Sequence, residues 1–248
     1  MTKVDIPELL DTFGVGIRAQ AGAIALYVGG SLATGDYRPG VSDLDLAAVV
    51  ERPLDEDRQQ KVIGIHRRLI ASGATDEKLH CVYVPADDLT DVRSEHLTWA
   101  FEELFRRPFG GVARAELLAH GYAVFGPPPG ELIPAISADE LAEAVRGALT
   151  GYWTAALSRR HLWLQDVYVD LGLTTLARAE ATLTGHGLIT KSEAISRLDR
   201  FGVPAELTEE MKRRRDGESV AISPGYRLRR AILVRRLVTD GIKTVLAD

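Results

Sequence analysis

The chain has 248 residues, 46% hydrophobic and 26% charged, the balance of a globular protein of one large or two modest domains and not of a disordered or fibrous one. Its longest charge-free stretch, residues 19–35, includes Gln20, Ser31, Thr34 and four glycines, and falls short of the roughly 18 apolar residues that a membrane span needs. Of a net charge of -5, residues 1–137 hold 13 basic and 20 acidic side chains, a poor surface for a phosphate backbone and a better one for metal ions or a cationic small molecule.

The first residues, MTKVDIPELLDTFG, lack the basic start, apolar centre and small-residue cleavage site of a secretory signal. A single cysteine, Cys81, excludes an internal disulfide or a multi-cysteine zinc site. Both features predict a cytoplasmic protein, with Cys81 as a small buried residue of a strand.

In chain order, AIALYV (23–28) is a short apolar run ending in Gly29 and Gly30, and DLDLAAVV (43–50) alternates before turning wholly apolar. Both read as buried strands. Residues 57–71 place Val62, Ile63, Leu69 and Ile70 at helical spacing, and KLHCVYV (78–84) supplies another strand before Pro85. GPPPGELIPAIS (126–137) concentrates four prolines, which stiffen the backbone and remove amide donors. We expect a boundary there, with domains at 1–134 and 135–248. Beyond it every signal is helical. Ser137/Glu140 and Thr190/Glu193 fit capping boxes, and Ser223–Pro224 opens a last helix carrying Leu228, Ile232, Leu233, Leu237, Ile242 and Val245.

The chemistry is concentrated in YVGGSLATGDYRPGVSDLDLAAVV, residues 27–50. At Gly29, Gly30 and Ser31 the missing Cβ atoms let a phosphate approach backbone N–H groups, and the hydroxyl adds a donor. After Ser42, Asp43 and Asp45 share one face of a strand because side chains alternate with period two. Two carboxylates converging at the end of an apolar strand call for a divalent cation to offset repulsion and desolvation. Oxygen ligands suit Mg²⁺, which commonly also holds substrate phosphates. The plainer alternative is that both acids end a loop in solvent.

This Gly-Ser, loop, Asp-x-Asp pattern resembles the nucleotidyltransferase superfamily, and more narrowly the aminoglycoside adenylyltransferases of the streptomycin/spectinomycin type. AHGYAVFGPPPGEL (119–132) resembles the segment closing that family's catalytic domain, and LTTLARAEATLTGHGLITKSEA (173–194) its helical-domain motif. The resemblance implies an α+β nucleotidyltransferase domain, a mixed sheet with helices, followed by an all-α helical bundle. It implies Mg²⁺-dependent transfer of AMP from ATP to a hydroxyl, with pyrophosphate leaving. Gly30, Ser31 and Ser42 would serve the nucleotide, Asp43 and Asp45 the metal and catalysis, and Arg178 and Lys191 the triphosphate, with ATP between the domains.

One position departs from the family. A third carboxylate is expected on the later strand, and the matching residue is His80. A neutral imidazole accepts a proton near neutral pH, so His80 is a candidate general base. Glu77, Asp87 or Glu102 are alternatives, and so is a nucleotide-binding sensor or regulatory protein without transferase activity.

Other signals fail on context. Gly14, Gly16 and Ala19 fit GxGxxA with no strand before them. His66, His96, His120, His161 and His186 have no metal-ligand spacing. Lys212–Arg215 reads as a solvated helix end. Trp99, Trp153 and Trp163 read as packing residues, with Tyr152 and Trp153 able to stack on a ligand. The expected partner is a small, cationic, aminoglycoside-like acceptor, with Asp166 and Asp170 as candidate contacts; no nucleic acid or membrane is expected, and the oligomeric state is not legible.

Overall fold

A computed structural model describes residues 5–72, 78–91 and 93–247. The chain divides into two compact units, Met1–Ser137 and Ala138–Asp248.

The first unit is built on one mixed sheet. Helix α1 (Ile6–Ala21) leads into β1 (Ala23–Val28), a single turn α2 (Gly30–Ala33), β2 (Leu44–Val50), α3 (Glu56–Ala71) and β3 (Leu79–Pro85). A hairpin of β4 (Glu95–Ala100) and β5 (Glu103–Pro108) follows, then α4 (Gly111–His120), β6 (Tyr122–Phe125) and a short α5 (Pro129–Leu132). The strand order is β5-β4-β3-β2-β1-β6. Only β2 and β3 pair in parallel, as a strand–helix–strand connection through α3 requires.

Apolar residues on both sides of β1, β2 and β3 give the sheet two cores. Leu26, Val28, Leu46, Ala48, Cys81 and Tyr83 meet Phe13 and Ile17 of α1 and Val62 and Ile65 of α3. On the other side Tyr27, Ala47, Val49, Val82 and Val84 meet Phe109, Leu117 and Ile133. Alternation therefore dictates that Asp45, in step with Ala47, and His80, in step with Val82, emerge on this second face. The GxGxxA pattern lies inside α1, where Gly14 and Gly16 let the helix lie close to Phe125 and Ile65.

Three ring contacts fix the first core. His66 stacks on Trp99 with centroids 4.6 Å apart and planes 8° from parallel, lies 5.0 Å from Phe13, and its Nε2 is 2.8 Å from the Tyr83 hydroxyl. Burial pushes the His66 pKa down to about 3, so the ring is neutral where it sits. Cys81 is fully buried as well, and burial raises its thiol to about 12.

The β4–β5 turn breaks a local rule. Ala100 pairs with Glu103, so the connection is the two residues Phe101 and Glu102, with φ of 54° and 61°. This left-handed conformation costs an L-residue roughly 1–2 kcal/mol, and hairpins of this kind ordinarily use Asn-Gly.

The second unit contains α6 (Ala138–Ala148), α7 (Thr154–Ser158), α8 (Asp166–Leu183), α9 (Lys191–Ser196), α10 (Ala205–Arg215) and α11 (Pro224–Ala247). Helix α8 buries Val169, Leu173, Leu176 and Ala177 and packs on α11, which buries Val234, Val238 and Ile242. Thr190 and Glu193 form the capping box of α9 reciprocally, at 3.1 and 2.7 Å. No helix among the described residues is long and apolar enough to cross a membrane.

Candidate functional site

At the end of β1 the chain is tied to β2 by the Gly29 amide, which donates to the Asp45 carbonyl at 2.8 Å. That bond occupies one donor of the proposed phosphate cradle, so the cradle falls to Gly30 and Ser31, which open α2 and have no carbonyl one turn earlier to bind. Gly30 has φ of 56°, and a Cβ there would lie 2.2 Å from Asp45 Oδ2. Glycine is thus required for the backbone to lie against this carboxylate.

Ser42 is buried, and its hydroxyl accepts the Arg38 amide at 3.0 Å while its own amide donates to the Arg38 carbonyl at 2.8 Å. It shapes the turn that delivers Asp43. Asp43 and Asp45 alternate with the buried Ser42, Leu44 and Leu46, so both half-buried acids face the same way. Across the parallel ladder Asp45 is directly opposite His80. The His80 Nδ1 lies 3.8 Å from Asp43 Oδ2 and 3.8 Å from Asp45 Oδ1. These are close approaches beyond hydrogen-bond length.

The three candidate residues therefore converge on one point. Of the alternative acids, Asp87 lies past the far end of β3 and Glu102 at the β4–β5 turn; Glu77 is outside the described residues. His80 is 8% exposed, and its ring meets Phe101 edge-on with centroids 5.2 Å apart.

A cleft of about 300 Å³ opens from this point, lined by Gly29, Gly30, Asp45, His80, Arg107 and Glu116, with Val82, Phe109 and Leu117 as apolar wall. Arg107, Phe109 and Glu116 carried no motif in the sequence. Their placement follows from buried Arg114 of α4, which donates to the carbonyls of Phe109 at 2.8 Å and Asp91 at 3.0 Å and to that of Leu89, pinning the segment before the helix.

The donor set bears on whether these residues suit Mg²⁺. Among the described residues no group of three or more His, Cys, Asp or Glu is arranged to hold a metal alone. Two carboxylates beside a glycine-floored cleft do suit an ion that completes its octahedron with substrate phosphates and water, which is how Mg²⁺ is usually held.

In the second unit Arg178 Nε donates to the Ile189 carbonyl at 2.9 Å, which brings Arg178 to the segment that carries Lys191, the first residue of α9. Asp166 and Asp170, the candidate acceptor contacts, are engaged by arginines. Arg214 grips Asp170 through two bonds of 2.8 and 2.6 Å, Arg230 joins Asp166 and Glu210, and Arg227 lies 3.4 Å from Asp166. Trp153 and Trp163 are buried as packing residues, whereas Tyr152 is exposed and 3.3 Å from the Tyr168 hydroxyl.

Residues 17–91, within the first unit, match the family model described as nucleotidyltransferase domain. The match spans the glycine turn, both aspartates and His80. Among solved structures, spectinomycin adenyltransferase AAD(9) from Enterococcus faecialis, crystallised with ATP and spectinomycin, aligns with a TM-score of 0.72 at 15% identity, covering 95% of this chain and 100% of that one. The two proteins thus share a fold over nearly their whole lengths. A toxin-antitoxin structure with AMP-PNP aligns over 64% of this chain and 97% of its own at 14% identity, with a TM-score of 0.29, too low to bear on the fold. No curated protein matches the chain by sequence.

Proposed function

We propose that the protein transfers AMP from ATP to a hydroxyl of a small, cationic, aminoglycoside-like acceptor, releasing pyrophosphate. The observation that carries this reading is the convergence of Asp43, Asp45 and His80 beside Gly30, at the mouth of a cleft large enough for a small molecule. The nucleotidyltransferase domain supports the reaction class. A structural neighbour that holds ATP and spectinomycin supports the choice of nucleotide and acceptor class.

Asp43 and Asp45 would hold Mg²⁺, which when bound neutralises charge developing on the transferred phosphate. The amides of Gly30 and Ser31 receive the leaving phosphates, with Ser42 keeping the turn in place. Arg178 and Lys191 are the proposed cations for the triphosphate, on the strength of the sequence resemblance. The acceptor oxygen attacks the α-phosphorus as its bond to the pyrophosphate oxygen breaks. The acceptor proton goes to the His80 imidazole, which lies beside both carboxylates.

The test is to mix protein, ATP and Mg²⁺ with a panel of aminoglycosides and to follow pyrophosphate and adenylylated product. Release that depends on the acceptor and disappears in Asp45→Ala supports transfer. Tight ATP binding without release for any acceptor favours a nucleotide sensor, the reading to which a histidine in place of the family's third acid gives weight.

A further inference from the structure

Phe101 and Glu102 are the only non-glycine residues with positive φ among the described residues, and they are adjacent. A bulky residue in this conformation is an outlier that something else must hold in place. Core packing does not account for Phe101, because its side chain is 77% exposed. Its ring contact is the His80 imidazole, 5.2 Å away and edge-on at 60°. His80 is nonetheless only 8% exposed while lining an open cleft. The strained tip therefore brings a ring against one side chain, and that side chain is the proposed base.

We infer that Phe101 is a positioning residue, which orients the His80 imidazole toward Asp43 and Asp45. The inference rests on the transfer reading above and adds a consequence to it. Water is the rival acceptor at any such site. Its oxygen attacks the α-phosphorus in place of the acceptor hydroxyl, the bond to pyrophosphate breaks, and the water proton leaves through His80 or solvent. The products are AMP and pyrophosphate. Phe101 holds that side reaction down by keeping the imidazole aligned on the acceptor oxygen.

The experiment measures AMP, adenylylated acceptor and total pyrophosphate separately, for wild type, Phe101→Gly and Phe101→Tyr, with spectinomycin and streptomycin as acceptors. In Phe101→Gly the rate of acceptor transfer falls roughly tenfold or more, the scale set by loss of alignment, while the KM for ATP is unchanged and AMP becomes a larger share of the product. Phe101→Tyr keeps the ring and restores both quantities. The Tm of Phe101→Gly holds or rises, because glycine relieves the left-handed turn. Phe101→Asn, which also tolerates that turn without glycine's freedom, gives the same product shift, because loss of the ring and not a loosened hairpin causes it.

An unchanged product ratio in both Phe101→Gly and Phe101→Asn overturns the inference, and a fall in Tm with that ratio unchanged marks Phe101 as structural. Wild type that turns over normally while the variants match it removes this role and leaves the transfer reading standing. Wild type that releases no pyrophosphate with any acceptor of the aminoglycoside panel removes both.

Discussion

Two groups of carboxylates, one in each unit, have opposite surroundings. In the helical unit Asp166, Asp170 and Glu210 meet Arg214, Arg227 and Arg230 through direct ion pairs, several of them hydrogen-bonded. In the sheet unit Asp43 and Asp45 face an imidazole across 3.8 Å, with an open cleft alongside. Guanidinium groups pair the first set directly, Arg214 gripping both oxygens of Asp170. The second set stands beside an open cleft that Asp45 lines. Acidic residues alone do not distinguish structure from chemistry; their surroundings do.

Substitutions can break this contrast. Asp45→Ala is expected to reduce acceptor-dependent pyrophosphate release at least about 100-fold, the scale on which loss of one transition-state contact is felt, without a comparable loss of stability in a thermal melt. Arg230→Ala does the reverse. It leaves Glu210, 6% exposed, with Arg214 as its remaining guanidinium and Asp166 with Arg227, and costs roughly 1.5–3 kcal/mol in urea unfolding, the scale of a hydrogen bond to a charged group. If Asp45→Ala unfolds the protein, or Arg230→Ala does not destabilise it, the two clusters are not what their geometry implies.

A smaller effect belongs to His66. Its pKa falls to about 3 in the fold, chiefly through burial and further through His80, from an ordinary value near 6.5. The unfolded chain thus takes up the extra proton between those values. Stability is fully present above about pH 6.5 and is lost as pH falls toward 3, by about 2 kcal/mol at pH 5. Urea midpoints between pH 7 and 5 measure this, and His66→Phe flattens the slope.

The smallest expected change is at Thr190, whose hydroxyl caps α9. Thr190→Ala costs about 1 kcal/mol. It sharpens the contrast by giving the size of an ordinary exposed bond in the helical unit.

The central strands were legible because β1, β2 and β3 are apolar runs bounded by glycine, proline or a polar turn, and the paired aspartates stood out against them. Helix α1 was not, because the glycines that bring it close to Phe125 and Ile65 imitate a nucleotide-binding turn. The β4–β5 hairpin escaped as well. Its turn is Phe-Glu where the rules call for Asn-Gly, so no signal divides EHLTWAFEELFRRP into two strands. With the hairpin went Phe101 and the Arg107 wall of the cleft. The ion pairs of Asp166 and Asp170 were not legible for a different reason, since the arginines that hold them arrive 44 to 64 residues later, a separation at which local pattern carries no information.

Cys81 follows His80 on β3 and points to the opposite core, wholly enclosed and with its thiol raised to about 12. As the sole sulfhydryl in the chain, it is a native clock for the innermost strand. Ellman's reagent can consume it only when the sheet parts, so the pace of colour development times how often the scaffold beneath the proposed base comes open, with no label or substitution introduced.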